Sequence, residues 1–199
     1  MFKFFLLGIV LCFSSLTQAK SIVVLGDSIS ASYGFEAQQG WVALMQQKIQ
    51  ADYPSYTIYN ESITGDTTAG GLARLPKILK KYKPDIIMLE LGANDGLRGM
   101  SLTVMQKNLS AIIEKSKKSG AQVLLLSMRI PSNYGRRFTD MFYNIYKKLS
   151  TKHDIPVVPF ILESVALNKS HMQRDGLHPN VLAQPIITEH IYPYLLKLL

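Results

Sequence analysis

Five residues could hydrolyse an ester if the fold brought them together: Ser28, Gly65, Asn94, Asp175 and His178. Ser28 stands in Val24-Leu25-Gly26-Asp27-Ser28-Ile29-Ser30, directly after an apolar run from Ile22 to Leu25. A free serine hydroxyl is a poor nucleophile near neutral pH and needs a base to take its proton. Histidine takes and returns a proton in that range, and a carboxylate can hold its tautomer and stabilise its cation. His178 and Asp175 have those side chains, three positions apart in Asp175-Gly176-Leu177-His178-Pro179. A turn at Gly176 would bring the carboxylate to one ring nitrogen and leave the other for Ser28. The oxyanion that forms on the carbonyl oxygen needs hydrogen-bond donors. The Ser28 and Gly65 N–H groups and the Asn94 side-chain amide are candidates, and at Gly65 the missing Cβ admits substrate close to the backbone.

Each segment also has a plainer reading. Asp27 or Ser28 could cap a following helix, and Asp-Gly pairs are common in surface turns. What separates the readings is where the elements place these residues. The run Ile22 to Leu25 reads as a buried strand, and Gly26 allows a sharp turn after it. Tyr56 to Tyr59, Ile86 to Leu89, Val123 to Leu126 and Ile155 to Val158 read as four more strands. Between them fall helical spacings: Trp41, Leu44, Met45 and Ile49; then Leu72, Leu75, Leu79 and Tyr82, with Pro76 predicting a late start or a kink. Leu102, Met105, Leu109, Ile112 and Ile113 follow, and then Phe138, Met141, Phe142, Ile145 and Leu149. A last helix is expected from about Asn180 to Leu199, distorted near Pro193. Strands that alternate with helices and are mostly unbroken apolar runs predict an α/β fold, a parallel sheet with helices on both faces. In such a sheet Ser28, Gly65 and Asn94 all lie just past strand carboxyl ends, on the edge where open α/β sheets bind ligands. The late loop holding Asp175 and His178 can return to that edge.

The 199 residues suit one domain. The chain starts with basic Met1-Phe2-Lys3, runs apolar from Phe4 to Phe13 and reaches small residues at Thr17-Gln18-Ala19. That order predicts a signal peptide over residues 1–19, cleaved after Ala19, with the domain over 20–199 and a periplasmic or secreted address. The apolar run is well short of the ~20 residues a membrane span needs. Cys12, the one cysteine, falls inside this leader, so the mature chain would have no disulfide, thiolate nucleophile or cysteine-bound zinc. Net charge is +8, or +7 once Lys3 leaves with the leader. The lysines scatter along helix faces without a nucleic-acid motif, which predicts a solvated surface and no nucleic-acid partner. A basic exported protein would still be drawn transiently to anionic lipid surfaces.

Gly26-Asp27-Ser28-Ile29-Ser30, Ser62-Ile63-Thr64-Gly65-Asp66-Thr67, Gly92-Ala93-Asn94-Asp95 and Asp175-Gly176-Leu177-His178-Pro179 resemble, in order, the four sequence blocks of the SGNH (GDSL) hydrolases. Gly70-Gly71-Leu72-Ala73-Arg74-Leu75-Pro76 and Glu90 to Gly99 resemble its periplasmic thioesterase, lysophospholipase and arylesterase branch. Ile29 replaces the leucine of the family's short name, and Thr64 stands where serine is common. The Gly-x-Ser-x-Gly elbow of other α/β hydrolases is absent. The resemblance implies a flavodoxin-like three-layer α/β/α sandwich around about five parallel strands. It implies catalysis by Ser28, Asp175 and His178, an oxyanion hole of Ser28, Gly65 and Asn94, and no metal or cofactor. It also implies a lid over Asp95 to Met100 hinged at Gly96 and Gly99, with Asp95, Gly96 and Leu97 near substrate. Ile130, Pro131, Tyr134 and Met141 are expected to line an acyl groove.

The expected function is a monomeric serine esterase acting on acyl esters, thioesters and lysophospholipids through an acyl-serine. A carbohydrate O-deacetylase built on the same triad is the alternative. Acyl-CoA is cytosolic, so for an exported enzyme lysophospholipids and other esters rank above it. His153, His171 and His190 have no ligand spacing, Asp27 and Asp66 read as loop braces, and Glu90 reads as a partner for nearby backbone.

Overall fold

The structure, a computed structural model, describes residues 19–199. The expected leader lies outside the described residues apart from Ala19. Five strands form one parallel sheet: β1 (Lys20–Gly26), β2 (Tyr56–Asn60), β3 (Ile86–Glu90), β4 (Gln122–Leu126) and β5 (Val157–Val158). Their order is β2-β1-β3-β4-β5, the flavodoxin-like order whose direction of winding reverses between β1 and β3. The register pairs Leu25 with Leu89 and Gly26 with Glu90, so both strands end level at that reversal. Ile22 to Leu25, Ile86 to Leu89 and Leu124 to Leu126 are fully buried, as expected of a sheet covered on both faces. Each such side chain contributes about 1.5–3 kcal/mol by leaving water.

Among the described residues six helices surround the sheet: α1 (Trp41–Asp52), α2 (Thr68–Tyr82), α3 (Ala93–Leu97), α4 (Leu102–Lys118), α5 (Arg136–His153) and α6 (Gln184–Leu195). α1 packs against α6, while α4 packs between α2 and α5. The Trp41 N–H donates to Gln184 Oε1 at 3.0 Å and joins the first pair across most of the chain.

Several elements differ from the sequence pattern. α2 runs through Pro76 and starts at Thr68, because the Thr67 hydroxyl accepts from the Gly70 N–H and caps it. β5 is cut to two residues because Pro156 has no N–H and the Ile155 N–H turns back to Ser150 O. α3 is an extra short helix, opened by Gly92 at φ +120°. The last helix starts only at Gln184, after a single 3₁₀ turn at Val181–Ala183 capped by Asn180, and ends at Leu195. On α5 the buried positions are Phe142, Ile145, Tyr146 and Leu149; Met141 is 52% exposed. Tyr146 can be buried because its hydroxyl donates to Leu91 O at 2.9 Å.

Candidate active site

β1 ends at Gly26, and the chain turns over Asp27 to present Ser28. Gly26 does not use a glycine-only backbone angle. It is required by space, since a Cβ there would lie 2.7 Å from Glu90 Oε2 and 2.8 Å from Ser30 Cβ. Ser28 is 8% exposed. Its Oγ lies 2.9 Å from His178 Nε2. On the other side of the ring, Nδ1 lies 2.7 Å from Asp175 Oδ2. A carboxylate can only accept, so Nδ1 carries the proton and Nε2 is left to accept from Ser28.

Gly176 at φ +68° makes the turn that lets Asp175 reach the ring three residues on. Asp175 Oδ1 accepts from the Leu177 N–H at 2.9 Å and the His178 N–H at 3.0 Å. Partial burial pushes the Asp175 carboxyl upward, but these backbone donors and the imidazole outweigh it and hold the group at about 2. Asp175 therefore stays ionised through the neutral range. The loop is closed at its base by a bridge between Met172 and Pro179 and by the Gln173 N–H on His178 O. Gln173 Nε2 donates to Tyr33 O at 2.7 Å and ties this loop to the one that carries Ser28. The Tyr33 ring lies against His178, centroids 4.6 Å apart. Neither Tyr33 nor Gln173 has a sequence signal, because each matters only through a contact between distant segments.

Gly65 takes φ +78° in the turn after β2. Asn94, in the first turn of α3, directs its Nδ2 to Asp27 Oδ2 at 3.0 Å. The N–H groups of Ser28 and Gly65 have no protein acceptor among the described residues. Two backbone donors and one side-chain amide are thus grouped with the serine at the carboxyl ends of β1, β2 and β3.

Behind the serine lie two buried carboxyl groups. Asp27 is 1% exposed and Glu90 0%. Glu90 Oε2 accepts from the Asp27 N–H at 3.2 Å and the Ser30 hydroxyl at 2.7 Å; its Oε1 has no partner. Burial pushes Glu90 well above the usual carboxylate range, reinforced by Asp27 and opposed by the hydrogen bonds from Ser30 and the Asp27 N–H. Burial pushes Asp27 up to about 6 from 3.8 against the pull of the Ile29 N–H and Asn94. A carboxyl whose pKa is raised by folding costs stability as pH rises from its unfolded value to its folded one. The wild type should therefore lose about 3 kcal/mol relative to Asp27→Asn between about pH 4 and pH 6. Denaturant melts of both proteins at a series of pH values measure this. A difference independent of pH would place Asp27 outside the titration.

The expected substrate-facing residues divide. Asp95 is 1% exposed, and both its oxygens accept from Thr68, at 2.5 Å from Oγ1 and 2.9 Å from the N–H. It joins α2 to α3 and does not line a groove. Gly96 is not placed as a hinge: a Cβ there would meet Phe142 Cε2 at 2.8 Å and Ile130 Cγ2 at 2.9 Å. Ile130 is buried in that same contact. Gly99 takes φ +63° with open space around it, and its N–H donates to Gly96 O at 3.0 Å. Leu97 O accepts from the Tyr134 hydroxyl at 2.8 Å, and Arg98 donates to Gly65 O at 2.8 Å, so the segment Asp95 to Met100 is tied down at several points. Tyr134 and Met141 line a cleft of about 540 Å³ with Phe138 and Arg137; Pro131 stands before the 3₁₀ turn that carries Tyr134. His153 bonds Ser110 at 2.7 Å, on α4 and α5.

Comparison with known proteins bears on the family and the fold. Residues 24–184 match the GDSL-like Lipase/Acylhydrolase family. The chain is 45% identical over 195 residues to an arylesterase of Vibrio mimicus, covering 96% of this chain and 98% of that one. It is 43% identical over 171 residues to thioesterase 1/protease 1/lysophospholipase L1 of Escherichia coli K12, covering 86% and 81%. The crystal structure of TesA superposes with a TM-score of 0.88 at 44% identity, covering 90% of this chain and all of the other.

Proposed function

The chain belongs to the GDSL-like lipase/acylhydrolase family of SGNH serine hydrolases and has an esterase function, and on that premise we propose that Ser28, His178 and Asp175 carry out acyl transfer through an acyl-serine. The observation that carries this reading is the 2.9 Å contact of Ser28 Oγ with His178 Nε2, backed by Asp175 at 2.7 Å. His178 Nε2 takes the Ser28 proton as Oγ bonds to the carbonyl carbon. The carbonyl pair moves onto oxygen, where the Ser28 and Gly65 N–H groups and the Asn94 amide meet the charge. Collapse expels the alcohol or thiol, which takes the proton from His178. Water then gives a proton to His178, attacks the acyl carbon, and the acid leaves as Ser28 recovers its proton.

We infer small single-chain acyl esters and thioesters as substrates, lysophospholipids among them. The cleft of Tyr134, Phe138 and Met141 offers apolar contact for a chain, and Arg136 and Arg137 beside it suit an anionic head group. The +7 charge of the mature chain favours brief contact with anionic membrane surfaces. Residues 1–19 direct export to the periplasm or beyond, and the mature enzyme acts as a monomer. Two measurements test the reading together. A fluorophosphonate should label Ser28 alone, and no labelling there would refute the mechanism. Among p-nitrophenyl acetate, octanoate and palmitate, the octanoate should have the highest kcat/KM. A preference for acetate by tenfold or more would replace the acyl-chain reading with sugar O-deacetylation.

A further inference from the structure

We propose that Asp27 is the positioning residue of the oxyanion hole: its buried carboxylate sets the Asn94 amide with the –NH2 group toward the substrate carbonyl. The inference rests on the reading of Asn94 as an oxyanion donor and concerns what makes it one.

An asparagine amide is two-faced. A half-turn about its last bond exchanges oxygen for nitrogen with almost no change of shape. At an oxyanion that half-turn replaces a donor by a repelling carbonyl oxygen. Something must fix the choice, and a carboxylate can, because it only accepts. Asp27 Oδ2 takes one Asn94 N–H at 3.0 Å, which leaves the second N–H of the same nitrogen free.

Asp27 is itself immobile. Its Oδ1 accepts from the Ile29 N–H at 3.1 Å, its own N–H donates to Glu90 Oε2, and it is buried. Glu90 is held in turn by Ser30. Bracing the turn accounts for Oδ1 alone. Oδ2 faces a residue 67 positions away that belongs to a different strand end. Because Asp27 directly precedes Ser28, one rigid turn sets both the attacking oxygen and the donor that awaits the charge. A negative group near a developing oxyanion is electrostatically adverse. The contribution of Asp27 must therefore be orientation.

The informative variant is Asp27→Asn, which keeps the shape and removes the preference. If its oxygen keeps the Ile29 N–H, its –NH2 faces that of Asn94, donor against donor, and Asn94 turns over. With p-nitrophenyl octanoate, kcat should fall on the order of 10²-fold, as for Asn94→Ala, with KM within about threefold. A trifluoromethyl ketone, whose adduct places an oxyanion in the hole, should bind more weakly by a similar factor. Asp27→Asn/Asn94→Ala should be no slower than Asn94→Ala, since a misplaced amide and an absent one are equivalent. If Asn94→Ala costs about 10²-fold and Asp27→Asn less than threefold, or if the two losses multiply, Asp27 does not position the amide. If Asn94→Ala costs less than tenfold, the oxyanion assignment fails and this inference with it. Should Asp27→Asn not fold, the wild type still decides. The Asn94 N–H that Asp27 accepts should exchange with solvent more slowly than its free partner on the same nitrogen, and equally fast, unprotected exchange of both would refute the fixed orientation.

Discussion

Purified Ser28→Ala protein should turn over p-nitrophenyl esters at least about 10⁴-fold more slowly than the wild type, while keeping its circular dichroism and melting transition. The size follows from the proposed mechanism, in which the Ser28 hydroxyl forms the acyl intermediate and alanine has no nucleophile to replace it. The fold should survive because Ser28 is small and sits on a turn whose shape is set by its neighbours. The Ile29 N–H is held by Asp27, and the Tyr33 N–H by Ser28 O, which alanine retains. The one side-chain bond lost is the 2.9 Å contact with His178. A rate within tenfold of the wild type would mean that the nucleophile lies elsewhere.

Asn94→Ala should lower kcat by about 10²–10³-fold, equivalent to about 2.7–4 kcal/mol of transition-state stabilisation, with a much smaller change in KM. A donor that meets charge only as it develops acts on kcat. The same substitution leaves Asp27 Oδ2 without its partner in a buried site, and a stability loss of about 1–3 kcal/mol should accompany the kinetic one. The two effects separate on one sample, because kcat is measured well below the melting transition. Equal rises in KM and falls in kcat/KM at constant kcat would instead make Asn94 a ground-state contact.

The parts of this arrangement written in local pattern could be read from the sequence. Apolar runs ending at Gly26 and Glu90, and helical spacings between them, gave the parallel sheet and so the shared edge where Ser28, Gly65 and Asn94 lie. The Asp-Gly-Leu-His turn was legible for the same reason: three residues suffice to make it. Contacts between distant segments were not. Asp27 read as a loop brace because only its link to Ile29 is local, while its bond to Asn94 depends on β1 and β3 ending side by side. Met141 was read into the α5 stripe and Tyr146 was not, because the spacing alone lets either residue complete it. The choice falls to Tyr146, whose hydroxyl finds Leu91 O on the far side of the core. Asp95 looked available to substrate until Thr68 was seen to take both its oxygens.

The closed excursion from Met172 to Pro179 has an implication for how the site can go wrong. Because Asp175 and His178 ride on the same clasped stretch, a displacement of that stretch would carry them together and keep their mutual geometry. What it alters is one coordinate, the gap between the ring and the serine, which Gln173 bridges through Tyr33. Inactivation by mild heating or by remote substitution would then begin as a loss of register between two intact halves, and cooling would restore it without any refolding.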